Sequence, residues 1–460
     1  MALIKSISGI RGTIGGAPGK SLSPVDVVKF VAAYSSFILQ KELPNKKIVI
    51  GRDGRMSGEM MQAFAMNTLL AMGLDVLDAG LSTTPTIEMA VINNQAAGGI
   101  ILSASHNPKE WNALKFFNEK GEFLSAEDGE KILALADQNE FHFATVESAG
   151  KHTLIPDALK EHIDAIIKHP LVDIEKIKKQ DFKIVVDAIN STGAIAVPAL
   201  LDALGVISYT VINGEVNGKF EHNPEPLPQH LQGLSGEVKK KHAHLGIAVD
   251  PDVDRLCFVC EDGSVFGEEY TLVAVADYVL QHTKGNTVSN LSSTQALRDI
   301  TEKHGGTYYA SAVGEVNVVH KMKEVNAVIG GEGNGGIIVP ELHYGRDALI
   351  GIALFLSHLA ASGKAVSKLR AQYPNYFISK NKIDLNEGVE PAKIFDSLKI
   401  KYKKQPLDTI DGLKIFFDND WVHLRTSNTE PIIRIYAESS FETTANNIAS
   451  RIQQDIRECM

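Results

Sequence analysis

Cysteine is scarce, with three residues in a chain of 460. Three thiols cannot build the set of bridges that holds a small secreted domain together, so the expected compartment is the cytoplasm. Cys257 and Cys260 form a CxxC, but within "RLCFVCEDG", an apolar and β-prone stretch. Residues three apart on a strand point to opposite faces, and no second pair exists to complete a zinc site. Long hydrophobic runs are also missing. None approaches the ~18 residues of a spanning helix, and "MALIKSISGIRG" has no signal-peptide apolar core of about 7–15 residues. Positive charge is not in excess either: 46 Lys and Arg stand against 56 Asp and Glu, a net charge of -10. That balance gives no support to a nucleic-acid or anionic-membrane partner. The basic runs at 239–244 and 399–404 read as solvated surface.

What is present is an ordinary globular composition, 44% hydrophobic and 22% charged. The length suggests about three domains as a starting point. A pattern then recurs three times, at 46–80, 182–214 and 285–315: an apolar strand, a polar turn, a helix, a glycine stop and a second strand. Such alternation predicts layered α/β domains with largely parallel pairing. Further along each unit, another apolar strand runs into a polar loop. "AGGIIL" leads to "SASHNP" (103–108), "HLGIAV" to "DPDVDR" (250–255) and "NAVIG" to "GEGNGG" (331–336). Ligands collect beyond the carboxyl ends of strands in α/β sheets, so the three loops are expected to wall one cleft. After about residue 372 the texture becomes that of a smaller α+β domain, with two strands flanking "RTSNTEP" (425–431).

The loops differ in how much chemistry they declare. Asp250, Asp252 and Asp254 lie at i, i+2 and i+4, on one face of an extended chain, where carboxylates repel unless a cation sits among them. A hard divalent ion with oxygen ligands relieves that repulsion, and Mg²⁺ leaves positions free for a phosphate oxygen. An EF-hand is excluded, because Arg255 stands where that loop needs glycine and the flanks are strands. "GEGNGG" matches GxGxxG through Gly331, Gly333 and Gly336, but a strand rather than a helix follows, so it is not a dinucleotide site. Glu332 and Asn334 there suit sugar hydroxyls, with a plain tight turn as the alternative. In "RTSNTEP", Arg425 precedes the small residues of a possible anion nest, and Arg434 lies beyond; an ordinary hairpin loop competes. "SASHNP" carries Ser103, Ser105 and His106 with Lys115 close behind, and no GxSxG elbow surrounds these serines.

Taken in order, "SGIRG", "SASHNP", "DPDVDR", "GEGNGG" and "RTSNTEP" resemble the alpha-D-phosphohexomutase superfamily along essentially the whole chain. The resemblance implies three similar mixed α/β domains, at 1–152, 153–260 and 261–371. A TATA-binding-protein-like α+β domain would follow at 372–460, all four around a central cleft. It implies that Ser105 carries a phosphoryl group, and that Asp250, Asp252 and Asp254 hold Mg²⁺ with a phosphoserine oxygen. Arg11 and Arg255 would lie near the transferring phosphate, Lys115 would be the general base, and His106 would belong to the catalytic loop. Glu332 and Asn334 would read sugar hydroxyls. Arg425, Ser427, Asn428, Thr429 and Arg434 would hold the nonreacting phosphate. The expected substrate is a phosphorylated hexose or hexosamine, isomerised between 6- and 1-phosphate through a bisphosphate.

Two departures bear on the sugar. Relatives specific for hexoses resemble "GEMSGH" where this chain has Asn334 and Gly336, and they carry histidine where it has Glu315. An acidic residue there resembles phosphoglucosamine mutases, so glucosamine phosphate is the expected sugar. A dual-specificity phosphomannomutase/phosphoglucomutase is the alternative. A phosphatase or a noncatalytic sugar-phosphate-binding protein would be the remaining classes.

Overall fold

The computed structural model describes residues 2–6, 9–386, 389–427 and 432–460. The first unit contains β1 (Leu3–Ser6), β2 (Gly9–Thr13), α1 (Pro24–Gln40), β3 (Lys47–Arg52), α2 (Gly58–Ala71) and β4 (Asp75–Leu81). It continues with α3 (Thr84–Asn93), β5 (Gly98–Leu102), β6 (Trp111–Phe117), α4 (Ala126–Gln138) and β7 (His152–Leu154). Next come α5 (Ala158–Ile167), α6 (Ile174–Lys179), β8 (Lys183–Asp187), α7 (Gly193–Ala203), β9 (Ser208–Ile212), α8 (Gln232–Lys240), β10 (Leu245–Val249) and β11 (Leu256–Cys260). The third unit has α9 (Glu268–His282), β12 (Asn286–Asn290), α10 (Ala296–Lys303), β13 (Tyr308–Ser311) and α11 (Glu315–Glu324). It closes with β14 (Ala327–Glu332), β15 (Gly336–Ile338), α12 (Ala348–Ser362) and α13 (Val366–Arg370). The last has β16 (Phe377–Asp384), α14 (Pro391–Lys401), β17 (Leu407–Asp408), β18 (Leu413–Phe417), β19 (Asp420–Thr426), β20 (Ile432–Ser439) and α15 (Glu442–Cys459).

Local chemistry sets several of these boundaries. Ser23 and Asp26 form a reciprocal capping box at the head of α1, with Pro24 in the first turn. Asp347 caps α12 by accepting from Leu349 N, and Gly363 ends that helix in the left-handed conformation at φ 61°.

The threefold repeat is literal at the level of topology. The strands run β6-β5-β3-β4 in the first sheet, β11-β10-β8-β9 in the second and β15-β14-β12-β13 in the third, one order used three times. In each, the first three strands are parallel and the fourth turns back antiparallel beside the third. The sheets are therefore mixed, and each chemically loaded loop is a hairpin joining the third strand to the antiparallel fourth. A hairpin holds its tip more rigidly than a long crossover, because both legs belong to one ladder. The fourth sheet, β16-β20-β19-β18-β17, is antiparallel throughout. Helices α14 and α15 cover one of its faces through Ile394, Leu398, Ile452 and Ile456.

The second and third units share one core. Val186, Leu200, Phe258, Phe355, Ile329 and Leu297 belong to a single buried cluster, with α12 at its centre. Phe355 stacks on Phe258 at 3.8 Å and meets Phe266 edge-on at 5.3 Å. Cys257 and Cys260 are both buried and pack into different clusters on the two sides of β11, as strand geometry requires. Among the described residues no helix is long and apolar enough to cross a membrane.

The shared core has a testable consequence. Phe355→Ala should cost about 3–5 kcal/mol, the range for a truncated buried aromatic, and should lower the unfolding midpoints of both units together. Chemical denaturation followed by fluorescence and by backbone amide exchange checks this. Separate unfolding of the two units would contradict a common core.

Candidate active site

The serine hairpin is assembled around an arginine. Strand β5 delivers Ser103 and Ser105 beyond its carboxyl end, and Arg55, after β3, reaches across beneath them. Its guanidinium donates to the carbonyls of Ser105 (2.6 Å), Asn107 (2.7 Å), Pro108 (2.7 Å) and Trp111 (2.8 Å), and its Nε to Asp53 at 3.0 Å. Four carbonyls converge on one buried cation, so the loop keeps a shape it could not hold alone. Ser105 N donates to Ser103 Oγ at 2.9 Å, and Ser105 itself sits at φ 47°. A non-glycine residue in the left-handed region is a strained feature of the kind that clusters at functional sites.

The aspartate hairpin meets it face to face. Ser105 Oγ donates to Asp250 Oδ2 at 2.5 Å, and Asp250 Oδ1 accepts from the backbone of Asp254 and Arg255, each at 3.1 Å. Lys115, on β6 opposite Ile101, places Nζ 2.5 Å from Asp252 Oδ2 and 3.6 Å from Asp254 Oδ2. Thr84, at the head of α3, donates to Asp252 Oδ2 at 2.5 Å, and its N–H donates to Asp252 O at 2.9 Å. The three aspartates are fully buried and each offers one oxygen within 4.8 Å of the others. Val253, between them, is held at φ 62°, which a β-branched residue adopts only under constraint.

The electrostatics are those of a site short of cations. Burial, then repulsion from Asp254 and Asp252, holds Asp250 well above the usual carboxylate range. Burial would push Asp252 up too, but the Lys115 ammonium outweighs it and draws Asp252 below that range. Lys115 is raised in turn: burial opposes its charge, and Asp252 and Asp254 overcome the opposition. Asp252 Oδ1 and Asp254 Oδ1 remain buried with no hydrogen-bond partner. Buried carboxylate oxygens without a hydrogen-bond partner, in a cluster of three aspartates that offers one oxygen each within 4.8 Å, are hard-cation ligands in type. The donor set therefore fits a divalent metal.

The third hairpin is tied to the same centre. Glu332 Oε1 accepts from Asn290 Nδ2 (2.8 Å) and Gly314 N (3.1 Å), and Oε2 from Arg346 Nη1 (2.9 Å). Asn334 accepts from Gly336 N at 3.2 Å and lies 3.4 Å from Glu332. Leu256 N donates to Gly335 O at 3.1 Å, so the second and third hairpins are directly bonded. Glu315, the first residue of α11, accepts from Arg346 through both backbone and Nε.

Positive charge gathers around Ser105. Arg11, on β2, donates to Asn107 Oδ1 at 2.6 Å and is lowered to about 10 by burial and by Arg255. Arg255 donates to Glu225 at 2.9 Å while its Nε, buried, has no hydrogen-bond partner. His106 Nδ1 lies 3.5 Å from Ser105 Oγ. Burial, then the charges of Arg255, Arg11, Arg346 and Lys115, keeps that imidazole neutral. This concentration of cations beside the serine loop suits phosphate.

In the last unit Arg425 on β19 and Arg434 on β20 are direct cross-strand partners, and Lys382 on β16 pairs with Arg434. Like charges abreast on one face repel unless an anion joins them. Arg425 Nε is 3.6 Å from Asp411. Ser427 N donates to Ile432 O at 3.1 Å. Asn428 and Thr429 lie outside the described residues.

Sequence reasoning passed over Arg55, Thr84, Glu225 and Arg346. Arg55 had a weak signal, a cation in the glycine-bounded turn "GRDGR" after a strand; Arg346 had only its place before the N-cap Asp347.

The chain belongs to the phosphoglucomutase/phosphomannomutase family, whose alpha/beta/alpha domains I, II and III match residues 3–143, 160–263 and 267–376 and whose C-terminal domain matches 381–454. Its class is that of the phosphohexomutases, which are isomerases. A phosphoglucomutase/phosphomannomutase of Thermococcus kodakarensis is 36% identical over 441 residues, covering 94% of this chain and 95% of that one. A phosphoglucosamine/phosphogalactosamine mutase of Sulfurisphaera tokodaii is 32% identical over 463 residues, covering 99% of each. In fold, a putative phosphomannomutase from Thermus thermophilus superposes with a TM-score of 0.83 at 24% identity, covering 100% of this chain and 99% of that one.

The opposed arginines lead to an expected outcome. Inorganic phosphate or sulfate should compete with sugar phosphate, and Arg425→Ala should weaken that inhibition by about 10- to 150-fold, the worth of a charge-assisted contact. An unchanged inhibition constant would place the anion elsewhere.

Proposed function

We propose that this phosphohexomutase converts glucosamine 6-phosphate to glucosamine 1-phosphate through a phosphorylated Ser105. The observation that carries the reading is the meeting of Ser105 Oγ with Asp250 at 2.5 Å inside a buried cluster of three aspartates. A phosphoryl group on Ser105 is transferred to the free hydroxyl of the sugar monophosphate, which leaves a free serine and a bisphosphorylated sugar. The bisphosphate turns over in the cleft, and Ser105 Oγ takes back the other phosphoryl group. Phosphoryl transfer demands positioning and charge neutralisation above all. In this reading Arg11 and Arg255 would meet the transferring group, and Arg425 and Arg434 the distal phosphate. The metal is proposed to be Mg²⁺ on Asp250, Asp252, Asp254 and a phosphoserine oxygen, where it would neutralise charge and polarise the phosphoryl oxygens. Lys115, an ammonium clasped by Asp252 and Asp254, can act as a base only once those aspartates are engaged by another positive charge.

The sugar follows from the charge on the opposite wall. Glu315 and Glu332 share one guanidinium, which also reaches the proposed metal ligand Asp254, so that wall carries a local excess of negative charge suited to an ammonium substituent. A dual-specificity hexose mutase is the second reading, favoured by the name of the 36% identical relative.

Ser105→Ala should abolish isomerisation while the chain still folds, with a melting temperature lowered only by the loss of the Asp250 hydrogen bond, worth about 1–3 kcal/mol. Intact mass and peptide mapping after treatment with glucose 1,6-bisphosphate should place one phosphoryl group on Ser105 of the wild type. Phosphate on Ser103 would overturn the assignment. With the same preparation, kcat/KM should rank glucosamine 6-phosphate above glucose and mannose 6-phosphates; the reverse order selects the second reading.

A further inference from the structure

Arg346 lies outside every loop singled out in the sequence, yet its guanidinium is engaged by three carboxylates. Its Nη2 donates to Asp254 at 2.7 Å, its Nη1 to Glu332 at 2.9 Å and its Nε to Glu315 at 2.9 Å. Three carboxylates from three different elements thus converge on one guanidinium, whose fork geometry serves several acceptors at fixed angles. The burial of Arg346 opposes its charge, and the three carboxylates more than compensate.

The backbone beneath it is equally fixed. Arg346 N donates to Glu315 at 3.1 Å, Asp347 N to Ile337 O at 2.8 Å and Ala348 N to Val253 O at 3.2 Å. Asp347 caps α12 and lies 2.9 Å from His162 Nε2 and 3.3 Å from His343 Nε2. The guanidinium is therefore carried on a rigid mount, not on a free loop.

Room for it comes from glycine. A Cβ on Gly336 would lie 2.3 Å from Arg346 Cδ, so a side chain at 336 and Arg346 in this position exclude each other. The last glycine of "GEGNGG" is the space that the arginine stem occupies.

We infer that Arg346 is a positioning residue that sets the sugar-reading carboxylate Glu332 at a fixed place relative to Asp254, while withholding one Asp254 oxygen from the metal. The inference rests on the metal and sugar readings of those two loops. Its two roles carry opposite signs. Losing the guanidinium frees an Asp254 oxygen and removes a competing positive charge, which strengthens cation binding. The same loss releases Glu332 and Glu315, which weakens sugar binding.

The test is calorimetric titration of the full chain with Mn²⁺ or Mg²⁺ alone, and separately with glucosamine 6-phosphate and glucose 6-phosphate. For Arg346→Met the metal should bind at least about tenfold tighter and the sugar phosphate at least about tenfold weaker, the low end of what one charge-assisted hydrogen bond carries. Arg346→Lys, which keeps the charge without the fork, should recover metal affinity toward wild type and sugar affinity only in part. Gly336→Ala, which displaces the stem and leaves every charge in place, should weaken sugar binding as Arg346→Met does. It also keeps the test open if Arg346→Met does not fold. Metal and sugar affinities falling together, or both staying at wild-type values, would overturn the inference. A wild type that binds both ligands but does not isomerise would instead count against the proposed function alone.

Discussion

Three carboxylates buried within reach of one another are the constraint on which this molecule turns. Asp250, Asp252 and Asp254 have no access to water, and Coulomb repulsion at such separations in a protein interior is worth several kcal/mol. The chain answers with Lys115 against Asp252, Arg346 against Asp254 and a hydroxyl, Ser105, against Asp250. Two of the partners, Ser105 and Lys115, come from one hairpin, and Arg346 comes from the segment before α12. The charge balance is therefore also the device that brings the units together: Lys115 and Ser105 reach in from the first, Arg346 from the third. Two oxygens remain without a hydrogen-bond partner, and that residual deficit is what a divalent cation would fill.

The repeated topology makes this meeting possible. One strand order, used three times, puts a short hairpin at the carboxyl end of a central strand in every unit. Hairpin tips are stiff, and here they are stiffened further. Arg55 gathers four carbonyls of the serine loop, and Leu256 N and Gly335 O join the second hairpin to the third. Left-handed backbone at Ser105 and Val253 shows that the loops are held by their surroundings and not by local preference. The fourth unit contacts the third through His423 to Ser292 and Lys414 to Leu291.

Much of this was legible in the chain because local rules wrote it. Apolar runs bounded by glycine marked the strands, the alternation of elements marked the repeats, and five short motifs marked the loops. The antiparallel return strands were less visible. A five-residue apolar segment such as Leu256–Cys260 reads alike in either direction of pairing, and the direction is set by the shortness of the loop before it. Arg55 and Arg346 escaped notice for a different reason. Their partners lie tens of residues away, and no periodicity records a long-range hydrogen bond. Gly336 was visible as the last glycine of a GxGxxG match and as a departure from "GEMSGH"; its contact with Arg346 explains why glycine stands there.

The most direct test of this account is the melting temperature of the EDTA-treated chain as Mg²⁺ is added back, compared between wild type and Asp252→Asn. A cation that binds only the folded state stabilises it by about 2.7 kcal/mol at a hundredfold excess over its dissociation constant. The account predicts a clear, saturable rise for the wild type and a response shifted to much higher Mg²⁺ for Asp252→Asn. Identical curves, or no rise in either, would contradict it, since three buried aspartates would then be balanced by the protein alone.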